Sequence, residues 1–104
     1  MASGYEDPGP DRTAVETWIG PAVLEFGADW CPICQGAASL IAEAVGGVRH
    51  VKVADGKGKP LGRSFAVKLW PTIVFLKDGV EAARVVRPTD ADEVRRGLAA
   101  ITAG

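Results

Sequence analysis

Ala22-Val23-Leu24-Glu25-Phe26-Gly27-Ala28-Asp29-Trp30-Cys31-Pro32-Ile33-Cys34 is the stretch that decides the fold. Residues 22–26 form a near-continuous apolar run, the pattern of a central strand buried on both faces. Glu25 is the anomaly inside it. Residues 27–30 read as a loop. Pro32 suits a first helical turn, since the N–H it lacks would be unpaired there. Further on, Leu40, Ile41, Ala44 and Val45 share one helical face, and Gly46-Gly47 ends the pattern. A strand therefore delivers a C-x-x-C pair to a helix start, the layout of a thiol–disulfide redox site. The first thiol must ionise to attack, and a helix N-terminus favours the thiolate through its free N–H groups and dipole. The second must lie within one turn, so that a disulfide closes with little backbone movement.

The two cysteines are the only ones in 104 residues. A loop so short gains little from being closed, so a structural staple is a poor account of the pair. In a reducing compartment such a pair is catalytic or metal-binding. A metal site lacks further ligands, since no other cysteine exists and His50 is the only histidine. No metal and no cofactor are expected. Hydrophobic content of 47% supports one packed domain, and a formal net charge of −1 gives no footprint for nucleic acid or an anionic membrane. No apolar run approaches the length of a membrane span. Residues 1–10 are polar and acidic, unlike a signal peptide, which leads to the expectation of a cytoplasmic protein.

Outward from the decisive stretch, residues 1–11 read as a flexible leader and 12–104 as a single domain. Thr13 and Glu16 make a capping-box pattern for a helix over about 12–19, with Val15, Trp18 and Ile19 on one face and Gly20-Pro21 as its stop. Residues 48–54 alternate as a strand. Residues 55–60 are a loop, and 61–67 a short helix carrying Phe65. Ile73 to Leu76 is a second buried strand, Lys77-Asp78-Gly79 a hairpin turn, and 81–86 the returning strand. Asp90 with Glu93, or Thr89 with Asp92, can cap a last helix striped by Val94, Leu98 and Ile101. The alternation of strands and helices predicts a mixed α/β sheet with helices on both faces, mostly parallel contacts and one antiparallel hairpin at an edge.

At this point the chain resembles the thioredoxin family. The likeness is carried by Val23 to Cys34, by Trp70-Pro71-Thr72 leading into an apolar strand, and by Lys77-Asp78-Gly79, in the family's order over about residues 12–101. The resemblance implies a thioredoxin fold, with a central sheet of four or five strands and about four helices. It implies a cis peptide at Trp70–Pro71 facing the thiols, an uncommon form that leaves backbone groups free to pair with an incoming peptide. It places Glu25 where thioredoxins carry a buried Asp. Burial disfavours the ionised form of such an acid, and an acid of that kind near the second thiol can take up its proton. Arg87 stands where the family has a glycine after the edge strand. Lys52 is the nearest match for a lysine beside the acid, although its residue type and position also fit plain surface. Asp29 reads as solvated, and no motif frames His50.

The resemblance implies dithiol exchange. Cys31 attacks a substrate disulfide, and Cys34, assisted by Glu25, resolves the mixed disulfide. Trp30, Pro32, Ile33, Trp70 and Pro71 would bind the substrate as an apolar surface. The implied partners are disulfide-containing proteins and a recycling reductase or small thiol, with the chain acting as a monomer. Two alternatives stand beside this. One is a more oxidising protein that forms or isomerises disulfides, since Pro32-Ile33 replaces the family's Gly-Pro. The other is a non-catalytic interaction or assembly-chaperone module on the same scaffold.

Overall fold

The apolar run folds as β1 (Pro21–Gly27), with every residue after Pro21 buried. In a computed structural model that describes residues 4–102, β1 lies inside a four-stranded sheet. The others are β2 (Arg49–Ala54), β3 (Thr72–Lys77) and β4 (Val80–Val86), in the order β2-β1-β3-β4. The helices are α1 (Arg12–Glu16), α2 (Pro32–Val45), α3 (Pro60–Ser64) and α4 (Ala91–Thr102). The mixed α/β architecture expected of the sequence is present.

Successive β1 side chains point to opposite faces and build two cores. Ala22, Leu24 and Phe26 share one with Val15 of α1, Leu61 of α3 and Phe65 just beyond it. Val23 shares the other with Ile41 and Val45 of α2, Phe75 of β3, and Val94 and Ile101 of α4. Glu25 has the parity of Val23, so its carboxylate points to the α2 side of the sheet.

Strand pairing corrects the expectation of a mostly parallel sheet. Only β1 and β2 are parallel, while β1–β3 and β3–β4 are antiparallel. The connection from β2 contains only a short helix, five residues or about 7.5 Å long, and stays at one end of the sheet instead of running back along a strand of about 20 Å. The chain therefore enters β3 at the end where β2 finishes, with Phe26 opposite both Val53 and Thr72. The β3–β4 hairpin turns on Asp78 and Gly79, at φ 53° and 78°, the two positive angles that a tight two-residue hairpin turn requires.

The first helix is also shorter than its pattern suggested. It ends at Glu16, and its N-cap is Asp11, whose Oδ1 accepts the Ala14 N–H at 2.8 Å, in place of a Thr13–Glu16 box. Glu16 instead pairs with Arg12 at 3.4 Å. Beyond the helix Ile19 is 89% exposed, whereas Trp18 keeps its contact with the α1-side core. The last helix is capped by the Asp90–Glu93 pair: Asp90 Oδ1 accepts the Glu93 N–H at 3.0 Å, and Glu93 Oε2 accepts the Asp90 N–H at 3.2 Å. Residues 4–11, expected as leader, lie along the open edge of β2. There Glu6 makes a single parallel bridge to Val53, where a fifth strand would add.

Gly97 of α4 sits directly on the Phe75 ring, where a Cβ would collide with the ring carbons. Overpacking of this kind costs about 1–3 kcal/mol, against about 1 kcal/mol gained by replacing a helical glycine with alanine. Gly97→Ala is therefore expected to lower the urea midpoint of unfolding. A variant as stable as the parent would contradict this packing.

Candidate active site

Cys31 ends the loop after β1 and is the N-cap of α2, with extended backbone at φ −81° and ψ 115°. Its N–H donates to Ala28 O at 3.1 Å, and its carbonyl accepts the Gln35 N–H at 3.0 Å. Its Sγ accepts the Cys34 N–H at 3.2 Å. A backbone donor of the first turn thus points at the sulfur where negative charge would develop. Both cysteines are free thiols, with 6% of Cys31 and 2% of Cys34 exposed. They pack with Ala28, Tyr5 and Trp70.

Glu25 is 1% exposed. A buried carboxylate is costly unless its oxygens are hydrogen-bonded, and both are. Oε2 accepts the Tyr5 hydroxyl at 2.8 Å, and Oε1 lies 2.9 Å from His50 Nε2. No direct Glu25–Cys34 hydrogen bond forms among the described residues. The Tyr5 hydroxyl and the Cys34 sulfur instead lie side by side over Gly27, each 2.7 Å from the point that a Cβ on Gly27 would occupy. A glycine at this position makes the approach possible. Tyr5 and His50 carried no sequence signal, because each reaches Glu25 from a distant segment with no framing motif. Lys52 places its Nζ 4.5 Å from the centre of the Tyr5 ring, and Asp29 Oδ1 accepts the Tyr5 N–H at 3.1 Å.

The residues expected to bind substrate surround the thiols unequally. Trp30 is 72% exposed and meets Trp70 edge to face, with ring centroids 5.6 Å apart. Trp70 Nε1 donates to Asp55 Oδ2 at 2.9 Å, which fixes its indole. Pro32, at the first position of α2, and Ile33 are exposed, whereas Pro71 is buried. The Trp70–Pro71 peptide is cis. Leu69 and Val86 are further exposed apolar residues. Arg87 adopts φ 52°, the region that favours glycine. Its Nε donates to Trp70 O at 2.8 Å and its N–H to Pro71 O at 2.9 Å. Among the described residues no group of three or more His, Cys, Asp and Glu side chains could hold a metal ion.

A dithiol at the start of a helix, on a β2-β1-β3-β4 sheet with helices on both faces, defines a thioredoxin-fold protein. The thioredoxin family model matches residues 12–100, and the chain belongs to the thioredoxin family. The solved structure of reduced thioredoxin 2 from Pseudomonas aeruginosa PAO1 is 48% identical, with a TM-score of 0.83 over 95% of this chain and 94% of that one. Thioredoxin H-type 1 of Nicotiana tabacum is 37% identical over 67 residues, 62% of this chain and 53% of its own length. An H-type thioredoxin of Oryza sativa subsp. indica is 34% identical, again over 62% of this chain, and 55% of its length is covered. The chain thus spans about half the length of these two plant relatives.

Two of the site's groups hold their protons more tightly than usual. Burial pushes the Cys34 thiol above its ordinary 9.0; a hydrogen bond with Cys31 adds to the rise, and the Ala28 backbone and the Tyr5 hydroxyl offset part of it. Burial first, then the charge and hydrogen bond of Glu25, hold Tyr5 far above its ordinary 10.0. Both shifts are upward, so the stability they contribute is complete below pH 9.0 and is lost as pH rises beyond it, where the unfolded chain releases protons that the folded one keeps. The urea midpoint of the reduced protein should fall between pH 8 and pH 11, and fall less in Tyr5→Phe. A midpoint constant over that range would contradict the shifts.

Proposed function

We propose that this chain is a thiol–disulfide oxidoreductase that reduces protein disulfides through Cys31 and Cys34. The observation that carries this is the Cys31 sulfur at the N-cap of α2, aligned with the Cys34 N–H and with the second thiol one turn on. Cys31 as thiolate attacks a substrate disulfide, forms the mixed disulfide and expels the first substrate sulfur. Cys34 then gives up its proton, with Glu25 as the final acceptor, and attacks Cys31 Sγ. The second substrate sulfur leaves reduced, and a Cys31–Cys34 disulfide remains. A recycling reductase or small thiol returns it to the dithiol.

Trp30, Ile33, Pro32 and Trp70 offer the apolar surface on which a protein substrate would dock, with Pro71 beneath it. The substrates are disulfide-containing proteins, the working form is a monomer, and the location is the cytoplasm, where the glutathione pool favours dithiols. No helix among the described residues is long and apolar enough to cross a membrane. The second reading, an interaction module, draws on Arg87, whose guanidinium occupies the Trp70 carbonyl beside the thiols.

Cys31→Ser is expected to abolish disulfide reduction in an insulin precipitation assay, and Cys34→Ser to accumulate a mixed disulfide visible by mass spectrometry. A double variant that retains full biological activity would favour the module. The reduction potential separates the redox directions: about −270 mV supports a reductant, whereas a value above about −200 mV would replace reduction by disulfide formation or isomerisation.

A further inference from the structure

The Glu25 carboxylate does not meet Cys34, yet the second half of the exchange requires Cys34, which is 2% exposed, to lose a proton. Tyr5 stands between the two groups. Its single hydroxyl proton is directed at Glu25 Oε2 at 2.8 Å, which leaves the oxygen lone pairs to accept from a neighbouring donor. The neighbour is the Cys34 thiol, beside the hydroxyl over Gly27. Tyr5 is also held from both sides. Its N–H is fixed by Asp29 Oδ1 at 3.1 Å, and the next residue clamps the chain to β2, with Glu6 N–H donating to Lys52 O at 2.8 Å and Ala54 N–H to Glu6 O at 2.9 Å. On the far side of Glu25, His50 Nε2 meets Oε1 at 2.9 Å and keeps 18% of its side chain exposed. His50 and Glu25 both line a surface cleft, with Glu6 and Lys52 beside them.

We propose that Tyr5 relays the proton of Cys34 to Glu25, and that His50 positions Glu25 and links it to solvent. This deepens, and rests on, the exchange reaction proposed above. Once substrate is held on Cys31 as a mixed disulfide, the Cys34 S–H proton passes to the Tyr5 oxygen as the Tyr5 proton passes to Glu25 Oε2. The Cys34 thiolate attacks Cys31 Sγ. The Cys34–Cys31 bond forms, the bond from Cys31 to the substrate sulfur breaks, and the electron pair leaves on that sulfur, which takes a proton from water. The two cysteines are oxidised, the substrate sulfur is reduced, and one proton stays on Glu25. Tyr5 is a relay and not a base: burial and the adjacent carboxylate set its own ionisation far above the working range. His50 is a positioning residue, because with Oε1 engaged the carboxylate presents Oε2 to Tyr5. The titratable groups around Glu25 are Tyr5 and His50, which bond it, and Glu6 and Lys52, which line the same cleft.

The test is a stopped-flow reaction of the reduced protein with Ellman's reagent, in which each thionitrobenzoate release reports one attack. Cys34→Ser isolates the first release, so the second belongs to Cys34. Tyr5→Phe, which keeps the ring, is expected to slow the second release by about ten-fold or more while the first stays within about two-fold, since positioned acid–base assistance is typically worth 10²–10⁴-fold. Its second-phase rate should climb more steeply with hydroxide from pH 5 to 9 than the parent's. His50→Leu should slow the same phase, and His50→Gln, which keeps a donor, should restore most of it. A second release in Tyr5→Phe equal to the parent's throughout that range overturns the relay, as does equal slowing of both phases, which marks Tyr5 as structural. A parent without a first release would instead remove the exchange reaction itself, and the relay with it.

Discussion

A carboxylate in the middle of an apolar strand is the constraint to which much of this molecule answers. Left unpaired, an ionised group at that depth costs several kcal/mol, a large fraction of the 5–15 kcal/mol that holds a domain of this kind together. The partners must come from outside β1, because its neighbours on the same face are Val23 and the apolar residues of α2 and β3. One partner, His50, arrives on β2, which the parallel register carries past β1. The other, Tyr5, arrives on the N-terminal segment, which must cross the edge of β2 to deliver it. The bridge at Glu6 and the bond to Asp29 are therefore part of keeping Glu25 inside the protein.

This explains which features could be seen in the sequence. Local patterns carried most of the fold. The run at 22–26, the Pro32 start and Gly46-Gly47 stop of α2, the Asp78-Gly79 turn and the Asp90–Glu93 cap each act within a few residues. Physics that acts over a few residues leaves a readable pattern. Strand direction is different, because whether β3 runs with or against β1 depends on the end of the sheet at which the connection after β2 returns, and no local pattern marks that end. The Thr13–Glu16 pattern failed because Asp11, two residues earlier, accepts the Ala14 N–H and starts the helix before Thr13.

The site divides along the same line. Cys31 and Cys34 are close in sequence and must be close in space, so they could be named at once. Trp30 and Trp70 are 40 positions apart and were paired only through family likeness; the structure brings their rings into edge contact. Tyr5 and His50 had neither advantage. Each touches Glu25 across more than 19 positions, and a lone tyrosine in a Gly- and Pro-rich segment has no periodicity to mark it.

Arg87 shows how substitution at one backbone position can alter a whole surface. The position needs positive φ, which a glycine adopts freely and an arginine does not. A residue in that conformation costs about 1–2 kcal/mol unless contacts offset it, and Arg87 makes two, to the carbonyls of Trp70 and Pro71. These tie the end of β4 to the start of β3 beside the thiols. The same contacts occupy the Trp70 carbonyl and set a cation beside an otherwise apolar rim. An incoming chain that pairs with this edge must displace the guanidinium or present it with an acceptor. The compensation for a strained residue thus places a fixed positive charge on the carbonyl that leads into β3.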